Sequence, residues 1–503
     1  MKNLTTSAKK SSPKLDEIFS TPFDLENADD KLHEECGIFG IASPPGTSID
    51  PAIDTFYGLF ALQHRGQESC GIAVNNSGII TCRKDMGLLM DVFDKDTLLS
   101  MPGDSAIGHV RYSTSGDNNV ENAQPIAVSH VKGNLAIAHN GNLANARELR
   151  RSIEMQGGIF HSSSDSEIIS YIIVRERINS NSIEEALAKA MAQIQGAYSI
   201  LAMSPKKMLA ARDPNGFRPL CIGKVHGKYI FASETCAIDA VDGVFIRDVE
   251  PGEIVIIEND ELRSMDSGLP KSPSYCSFEY IYFARRDSIV NGFSVEKSRH
   301  LMGQALARET GVEADAVVGV PDSGLAAAAG YSHASGLPNI EGLIKNRYIN
   351  RTFIQPSQDQ REQSVRLKLN PLSAVIKGKR IVLIDDSIVR GTTSASIVSS
   401  LREAGATEVH LRISSPPFLY PCYFGTDVPD KEKLIAVGKT EEEIAELLGA
   451  DSLAYLSHKS LSRILDEANC PSCTACFSGE YPIELPDSQV DLPHLKPIIN
   501  LGK

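Results

Sequence analysis

Cys36 opens the apolar run CGIFGIA directly after a polar segment that ends His33, Glu34, Glu35. A thiol becomes a good nucleophile when a base takes its proton, and a chain's own α-amino group, with a pKa of roughly 7.7–8.0, suits that work near neutral pH. Cys36 owns such an amine only once the residues before it are removed, so residues 1–35 are expected to be a propeptide. The plainer alternative is a small buried cysteine at the edge of a strand. Downstream, HVRYSTSG (109–116), AHNGNL (138–143) and SSSDSE (162–167) each set polar groups at the end of an apolar run, where loops commonly build sites. Taken singly, Arg111 fits a surface ion pair, Asn140-Gly141 a hairpin turn and Asp165 a helix cap.

A second set of residues suits phosphate. RIVLIDD (380–386) delivers two acids at the carboxyl end of a strand-like run, and the small, hydroxyl-rich SIVRGTTS that follows leads into a helix-like segment. Open α/β sheets bind ligands at that end, and a helix N-terminus offers backbone donors and a favourable dipole to phosphate. A strand followed by a capped helix with two solvated carboxylates is the bland alternative. GVPDSG (319–324) ends another strand-like run and brings Ser323, so oxygen ligands from Ser323, Asp385 and Asp386 would suit magnesium together with substrate phosphates. LIKNRYINRTFIQPSQDQRE (343–362) concentrates Lys345, Arg347 and Arg351 in an acidic chain and is expected to be a lid over pyrophosphate, or else a solvated loop.

NCPSCTACFSG (469–479) spaces Cys470, Cys473 and Cys476 as metal ligands are spaced. A zinc knuckle, an iron-sulfur cluster and a chance grouping all stay open on spacing alone. Cys70, Cys82, Cys221 and Cys236 match no ligand pattern and are expected to be small buried apolar residues.

Two kinds of scaffold must position these groups. From Cys36 to about residue 260, β-like runs such as AIGHVRY, LAIAHN, AYSILAM and GEIVII alternate with helix-like segments such as SIEEALAKAMAQIQ, which predicts a sheet-rich α+β domain. The polar stretch ENDELRSMDSGLPKSPSY (258–275) punctuates the chain. Beyond it AVVGVP, SGLAAAAGYSHAS, RIVLIDD and SASIVSSLREAG alternate as βα units around a parallel sheet. The expected units are the propeptide, a domain over 36–265, a second over 266–480 and a tail over 481–503.

ECGIFG, LQHRGQESCG and the three polar motifs after them, in order, resemble the class II glutamine amidotransferases over about residues 36–260. The resemblance implies an α+β N-terminal-nucleophile hydrolase domain, a four-layer sandwich. It further implies that Cys36 attacks the glutamine side-chain amide, with Asn140 and the Gly141 N–H as oxyanion hole, Arg111 on the α-carboxylate and Asp165 on the α-ammonium. Residues 380–394 resemble the phosphoribosyl pyrophosphate signature of type I phosphoribosyltransferases, which implies an α/β second domain. There Lys345, Arg347, Arg351, Asp385, Asp386, Ser387, Arg390, Gly391, Thr392 and Thr393 would hold phosphoribosyl pyrophosphate, with Mg2+ on Ser323, Asp385 and Asp386.

Together the halves resemble the amidotransferases that act on phosphoribosyl pyrophosphate. That implies glutamine, water and phosphoribosyl pyrophosphate going to 5-phosphoribosylamine, glutamate and pyrophosphate, the first committed step of purine synthesis, with ammonia passed between two sites. Feedback inhibition by purine nucleotides and a homotetramer are further implications. One branch of this family pairs a propeptide with a 4Fe-4S cluster; matching YCSFEYIYFARRDS, PPFLYPCYFG and CTACFSG to it implies Cys276, Cys422, Cys473 and Cys476 as ligands, with Cys470 a bystander.

Composition narrows the field. A net charge of −14 over 503 residues argues against broad attraction to nucleic acid or anionic membranes. No stretch approaches the roughly 20 apolar residues of a membrane span, so a cytoplasmic protein is expected. Two rivals stand beside the main reading: a glutaminase feeding another phosphate-bearing acceptor, and a nucleotide-responsive or iron-sensing regulator on degenerate enzyme domains.

Overall fold

The computed structural model describes residues 36–43, 50–112, 119–346, 369–426, 428 and 431–485. The expected propeptide, Arg347, Arg351 and the tail from 486 onward lie outside the described residues.

The first half is built from β1 (Gly37–Ala42), β2 (Ser69–Asn76), β3 (Ile79–Met86), β4 (Ser105–Arg111), β5 (Ile126–His130), β6 (Gly133–Leu143), β7 (Gly196–Met203), β8 (Lys207–Arg212), β9 (Cys221–Val225), β10 (Lys228–Ala232), β11 (Val244–Asp248), β12 (Glu253–Glu258) and β13 (Glu261–Asp266). They form two sheets, a seven-stranded one in the order β11-β9-β10-β1-β4-β2-β3 and a six-stranded one in the order β13-β12-β8-β7-β6-β5. The central strands are apolar on both faces because both faces are covered: all six positions of β1 and all eight of β7 are buried. Ile38, Ile107, Leu201, Ile222, Phe231 and Val255 fill the space between the sheets, each such side chain contributing about 1.5–3 kcal/mol on burial.

Helices close the outer faces and make four layers. α1 (Pro51–Ala61), α2 (Leu89–Val92), α3 (Lys95–Leu99) and, later in the chain, α7 (Thr235–Asp239) share a core with the first sheet through Phe39, Leu59, Ile72 and Ile238. α4 (Ala146–Met155), α5 (Asp165–Ile178) and α6 (Ile183–Met191) cover the second through Ile137, Ile169, Leu187 and Ile254. The start of the polar stretch at 258–275 is not a loop: β13 pairs with β12 along its length. Its polar composition reflects an outermost strand, exposed at every position but Leu262 and Met265.

The second half has a four-stranded parallel sheet in the order β17-β20-β21-β22, from β17 (Ala316–Gly319), β20 (Arg380–Asp385), β21 (Glu408–Ile413) and β22 (Ser452–Tyr455). α8 (Val295–Glu309) and α9 (Gly324–Ser335) pack on one face; the helices Thr392–Glu403 and Glu441–Leu448 pack on the other. Short pairs complete it: β14 (Tyr275–Cys276) with β23 (Ser472–Cys473), β15 (Ile289–Val290) with β16 (Phe293–Ser294), and β18 (Leu343–Lys345) with β19 (Leu369–Pro371). Among the described residues no helix is long and apolar enough to cross a membrane.

Candidate active sites

In the first half, β1 begins one residue after Cys36 and runs antiparallel to β4, with Gly37 opposite Val110, the neighbour of Arg111. β6 brings His139, Asn140 and Gly141 to the same end, and α5 begins there at Asp165, capped by the Ser164 hydroxyl. Cys36, Arg111, Gly141 and Asp165 line one cleft, joined by Tyr112, Gln124, His139, Ser164 and Ser166. Four of the five residues expected from the sequence therefore meet, and the fifth, Asn140, is buried beside Gly141.

The cleft is held by buried hydrogen bonds. The Cys36 thiol donates to the Tyr112 carbonyl at 3.5 Å, and Arg65 Nε donates to the Cys36 carbonyl at 3.0 Å. Asp165 Oδ2 accepts from the Leu143 N–H at 3.0 Å, tying the start of α5 to the end of β6. Gln124 clamps the His139 backbone from both sides, accepting its N–H at 2.8 Å and donating to its carbonyl at 3.2 Å. Burial holds the His139 imidazole below its ordinary pKa, against the pull of Asp165, so the ring is neutral at pH 7. Burial, with the Arg111 charge, lowers His109 to about 3.

Asn140 is fully buried, yet neither its amide nitrogen nor its amide oxygen has a hydrogen-bond partner among the described residues. Such a group ordinarily costs about 1–3 kcal/mol, which points to a ligand that satisfies it. Gly141 follows at φ +143°, where an added Cβ would lie 2.1 Å from the Ala197 carbonyl oxygen, so only glycine fits.

In the second half, β17 and β20 are parallel neighbours whose carboxyl ends deliver Ser323 and the two acids to an open cleft of about 490 Å³. Ser323, Asp385, Asp386, Ser387, Gly391 and Thr393 line it, with Tyr282 and Val320. Ser323 Oγ donates to Asp386, and the Asp386 N–H donates to Asp385 Oδ1 at 2.9 Å. The helix Thr392–Glu403 begins at this cleft, with Gly391 as its N-cap. Arg390, in the loop before that helix, and Thr392, its first residue, are not among the lining residues, and Lys345 is exposed in an ion pair with Asp322.

The cysteines gather where the halves meet. β14 and β23 set Cys276 opposite Cys473, and Cys422, Cys473 and Cys276 are close enough to Cys476 for their charges to add to the burial that pushes its thiol well above the ordinary value. Cys470 stands apart, donating to the Asn291 and Ala468 carbonyls. Among the described residues no group of three or more His, Cys, Asp or Glu is drawn together tightly enough to hold a metal ion. The thiols are thus within electrostatic reach of one another and not gathered around a point.

A buried ion network, whose pairing no sequence motif announces, joins the two clefts. Arg65, which holds the Cys36 carbonyl, donates to Glu234 at 2.7 Å and to both oxygens of Glu279 at 2.9 and 2.7 Å. Glu279 begins the π-helical turn Glu279–Phe283, and Tyr282 in that turn lines the second cleft. Arg65 lies in LQHRGQESCG and Glu279 in YCSFEYIYFARRDS, but nothing in either motif marks their pairing, and Gln124 lies in no motif.

Comparison with known proteins agrees with this division. Residues 109–240 match the family model of a glutamine amidotransferase domain, and residues 290–414 that of a phosphoribosyl transferase domain. The amidophosphoribosyltransferase of Bacillus subtilis is 48% identical over 470 residues, covering 92% of this chain and 97% of that protein. That of Methanocaldococcus jannaschii is 49% identical over 465 residues, covering 90% and 98%. The structure of glutamine phosphoribosylpyrophosphate amidotransferase from B. subtilis complexed with ADP and GMP superposes with a TM-score of 0.84 at 46% identity, over 92% of this chain and 100% of that one.

Proposed function

The chain belongs to the amidophosphoribosyltransferase family, and from that premise we propose how its residues divide the work between the clefts. The reaction converts glutamine, phosphoribosyl pyrophosphate and water to 5-phosphoribosylamine, glutamate and pyrophosphate in purine biosynthesis. The observation that carries our assignment is the unpartnered, buried Asn140 amide beside a cleft that holds the Cys36 thiol.

In the first cleft the Cys36 sulfur attacks the glutamine side-chain amide carbon, forming a thioester as ammonia leaves; water then releases glutamate. The base is the α-amine of Cys36, which requires removal of residues 1–35. Asn140 and the Gly141 N–H stabilise the tetrahedral oxyanion. Arg111 grips the α-carboxylate and Asp165 the α-ammonium, both buried, so each is strengthened by exclusion of water. The neutral His139 leaves the anionic intermediate to the amide donors.

In the second cleft, Asp385 and Asp386 face the ribose hydroxyls, and Ser387, Arg390, Gly391, Thr392 and Thr393 cradle the 5′-phosphate at a helix N-terminus. Lys345, Arg347 and Arg351 close over pyrophosphate. Ammonia released in the first domain attacks the ribose carbon as pyrophosphate departs, so the site must supply charge stabilisation and dryness. Ser323, Asp385 and Asp386 suit Mg2+, which takes one or two carboxylates plus substrate phosphates; bound there, the ion would neutralise the leaving pyrophosphate. We take 36–265 and 266–480 as the two domains, followed by a tail over 481–503.

Cys276, Cys422, Cys473 and Cys476 suit a 4Fe-4S cluster with a structural role, tying residue 276 to the far end of the chain. The register of Cys276 opposite Cys473, and the nearness of Cys276, Cys422 and Cys473 to Cys476, support this ligand set. All ten cysteines stand outside disulfides, which supports a cytoplasmic enzyme. Purine nucleotides as inhibitors and a homotetramer complete the proposal; the ADP and GMP bound to the B. subtilis protein support the former.

The test is phosphoribosylamine synthesis with glutamine or with ammonium as nitrogen donor. Replacing Cys36 by alanine should abolish the glutamine-dependent rate and spare the ammonia-dependent one. Glutamine-dependent synthesis by that variant would overturn the assignment.

A further inference from the structure

We propose that the segment 422–426 of the second domain clamps the end of β6 that carries the oxyanion donors of the first, and that Asn142 and Arg218 are positioning residues for glutamine hydrolysis. The inference rests on the reading that Asn140 and Gly141 stabilise the oxyanion.

Three consecutive residues of that segment touch the end of β6 or its support. Asn142 Nδ2 donates to the Tyr423 carbonyl at 3.0 Å, across 281 residues of chain. Arg218 Nη2 donates to the Phe424 carbonyl. Gly425 has φ +109°, and a Cβ added there would lie 2.9 Å from Arg218 Nη2, 3.5 Å from Asn142 Cβ and 3.5 Å from the Gly141 carbonyl carbon. The backbone of the second domain therefore lies directly on the residue that offers its N–H to the oxyanion.

The clamp is anchored behind. The Phe424 ring stacks on Phe217 with centroids 4.3 Å apart and planes 16° from parallel. Ala197, the register partner of Asn142 in β7, packs with both rings. Asp213 accepts from the Tyr198 N–H at 3.2 Å and from the Phe217 N–H at 3.1 Å, so the strand opposite Gly141 and the turn carrying Phe217 and Arg218 share one carboxylate. The Asn140 side chain has no partner among the described residues, so its end of β6 is held by the β7 ladder and by the Asn142 contact to Tyr423. Donors aimed where charge develops act on the transition state more than on bound substrate, so loosening the clamp should lower kcat and leave KM.

The experiment uses the full chain with Asn142→Ala and, from the other side of the contact, Gly425→Ala. Asn142→Ala should lower kcat for glutamine hydrolysis by roughly five- to tenfold, with KM changed less than about twofold. The ammonia-dependent rate should not move, and hydrogen exchange at residues 139–143 should quicken. Gly425→Ala should give the same split, and the double variant should be about as slow as the slower single one, since both break one contact. Unchanged kcat and unchanged exchange in Asn142→Ala would overturn the clamp, as would equal losses of glutamine- and ammonia-dependent rates, which mark a general structural defect. Glutamine hydrolysis persisting in Cys36→Ala would instead overturn the assignment of the cleft itself, and the clamp with it.

Discussion

The two clefts differ in how much of each site is in place before substrate arrives. In the first, Arg111, Asn140 and Asp165 are all buried, drawn from strand ends and a helix start that antiparallel pairing and buried hydrogen bonds hold still. In the second, Asp385 and Asp386 are buried at the carboxyl end of β20, but the hydroxyls follow beyond the strand ends and Lys345 stands exposed against Asp322. The difference follows from the substrates. Attack on a neutral amide needs donors and nucleophile set within tenths of an ångström, since the side-chain amide being attacked carries no charge to organise them. A polyphosphate carries its own field and its own metal ligands, so its site can be completed on binding.

The sharpest way to break that comparison is to disable one cleft and read the other. Cys36→Ala should cut glutamine-dependent synthesis by roughly a thousandfold or more, leaving ammonia-dependent synthesis near wild type in the same assay. Asp386→Asn should act the other way: both nitrogen donors should fail alike, by roughly a hundredfold, because the lesion lies after ammonia is made.

The network between the clefts should matter chiefly for stability. Arg65→Ala leaves Glu234 and Glu279 buried without their shared cation and should cost about 3–5 kcal/mol in denaturant unfolding. Burial pushes Glu234 up, but His64, Arg65 and Ser288 outweigh it and hold the carboxyl well below the usual 4.5. A depressed carboxylate stabilises the fold above its unfolded pKa and loses that stabilisation as pH falls. Melting temperature should therefore drop as pH is lowered below about 4.5, and less steeply in Glu234→Gln.

The smallest effect expected concerns the edge of the second cleft. Thr440 and Glu443 cap the helix Glu441–Leu448 reciprocally, and Leu448 approaches Gly391. Thr440→Ala should cost about 1 kcal/mol and raise KM for phosphoribosyl pyrophosphate slightly, without touching glutamine hydrolysis.

Much of this was legible in the chain. Apolar runs marked β1, β4, β6, β7, β12, β17 and β20, and polar residues at their ends marked the clefts, because strand period and loop chemistry are written within a few neighbouring residues. β13 opens inside the polar stretch that punctuates the chain and is not evident there, because an outermost strand can be as polar as a loop. Gln124 and the partnership of Arg65 with Glu279 left no local pattern.

The sequence by itself therefore determined where chemically competent residue types fall in recognisable patterns: Cys36, Asn140, Gly141, the pair Asp385 and Asp386, and the cysteine run. Tertiary structure alone decided which of them meet and what steadies them. It set Cys476 toward Cys276 and Cys422 and left Cys470 aside, and it laid the backbone of 423–425 on Asn142 and Arg218. The physical reason is that a carbonyl offers the same acceptor whatever side chain it carries. A contact made through backbone across 281 residues leaves no mark on residue type or spacing.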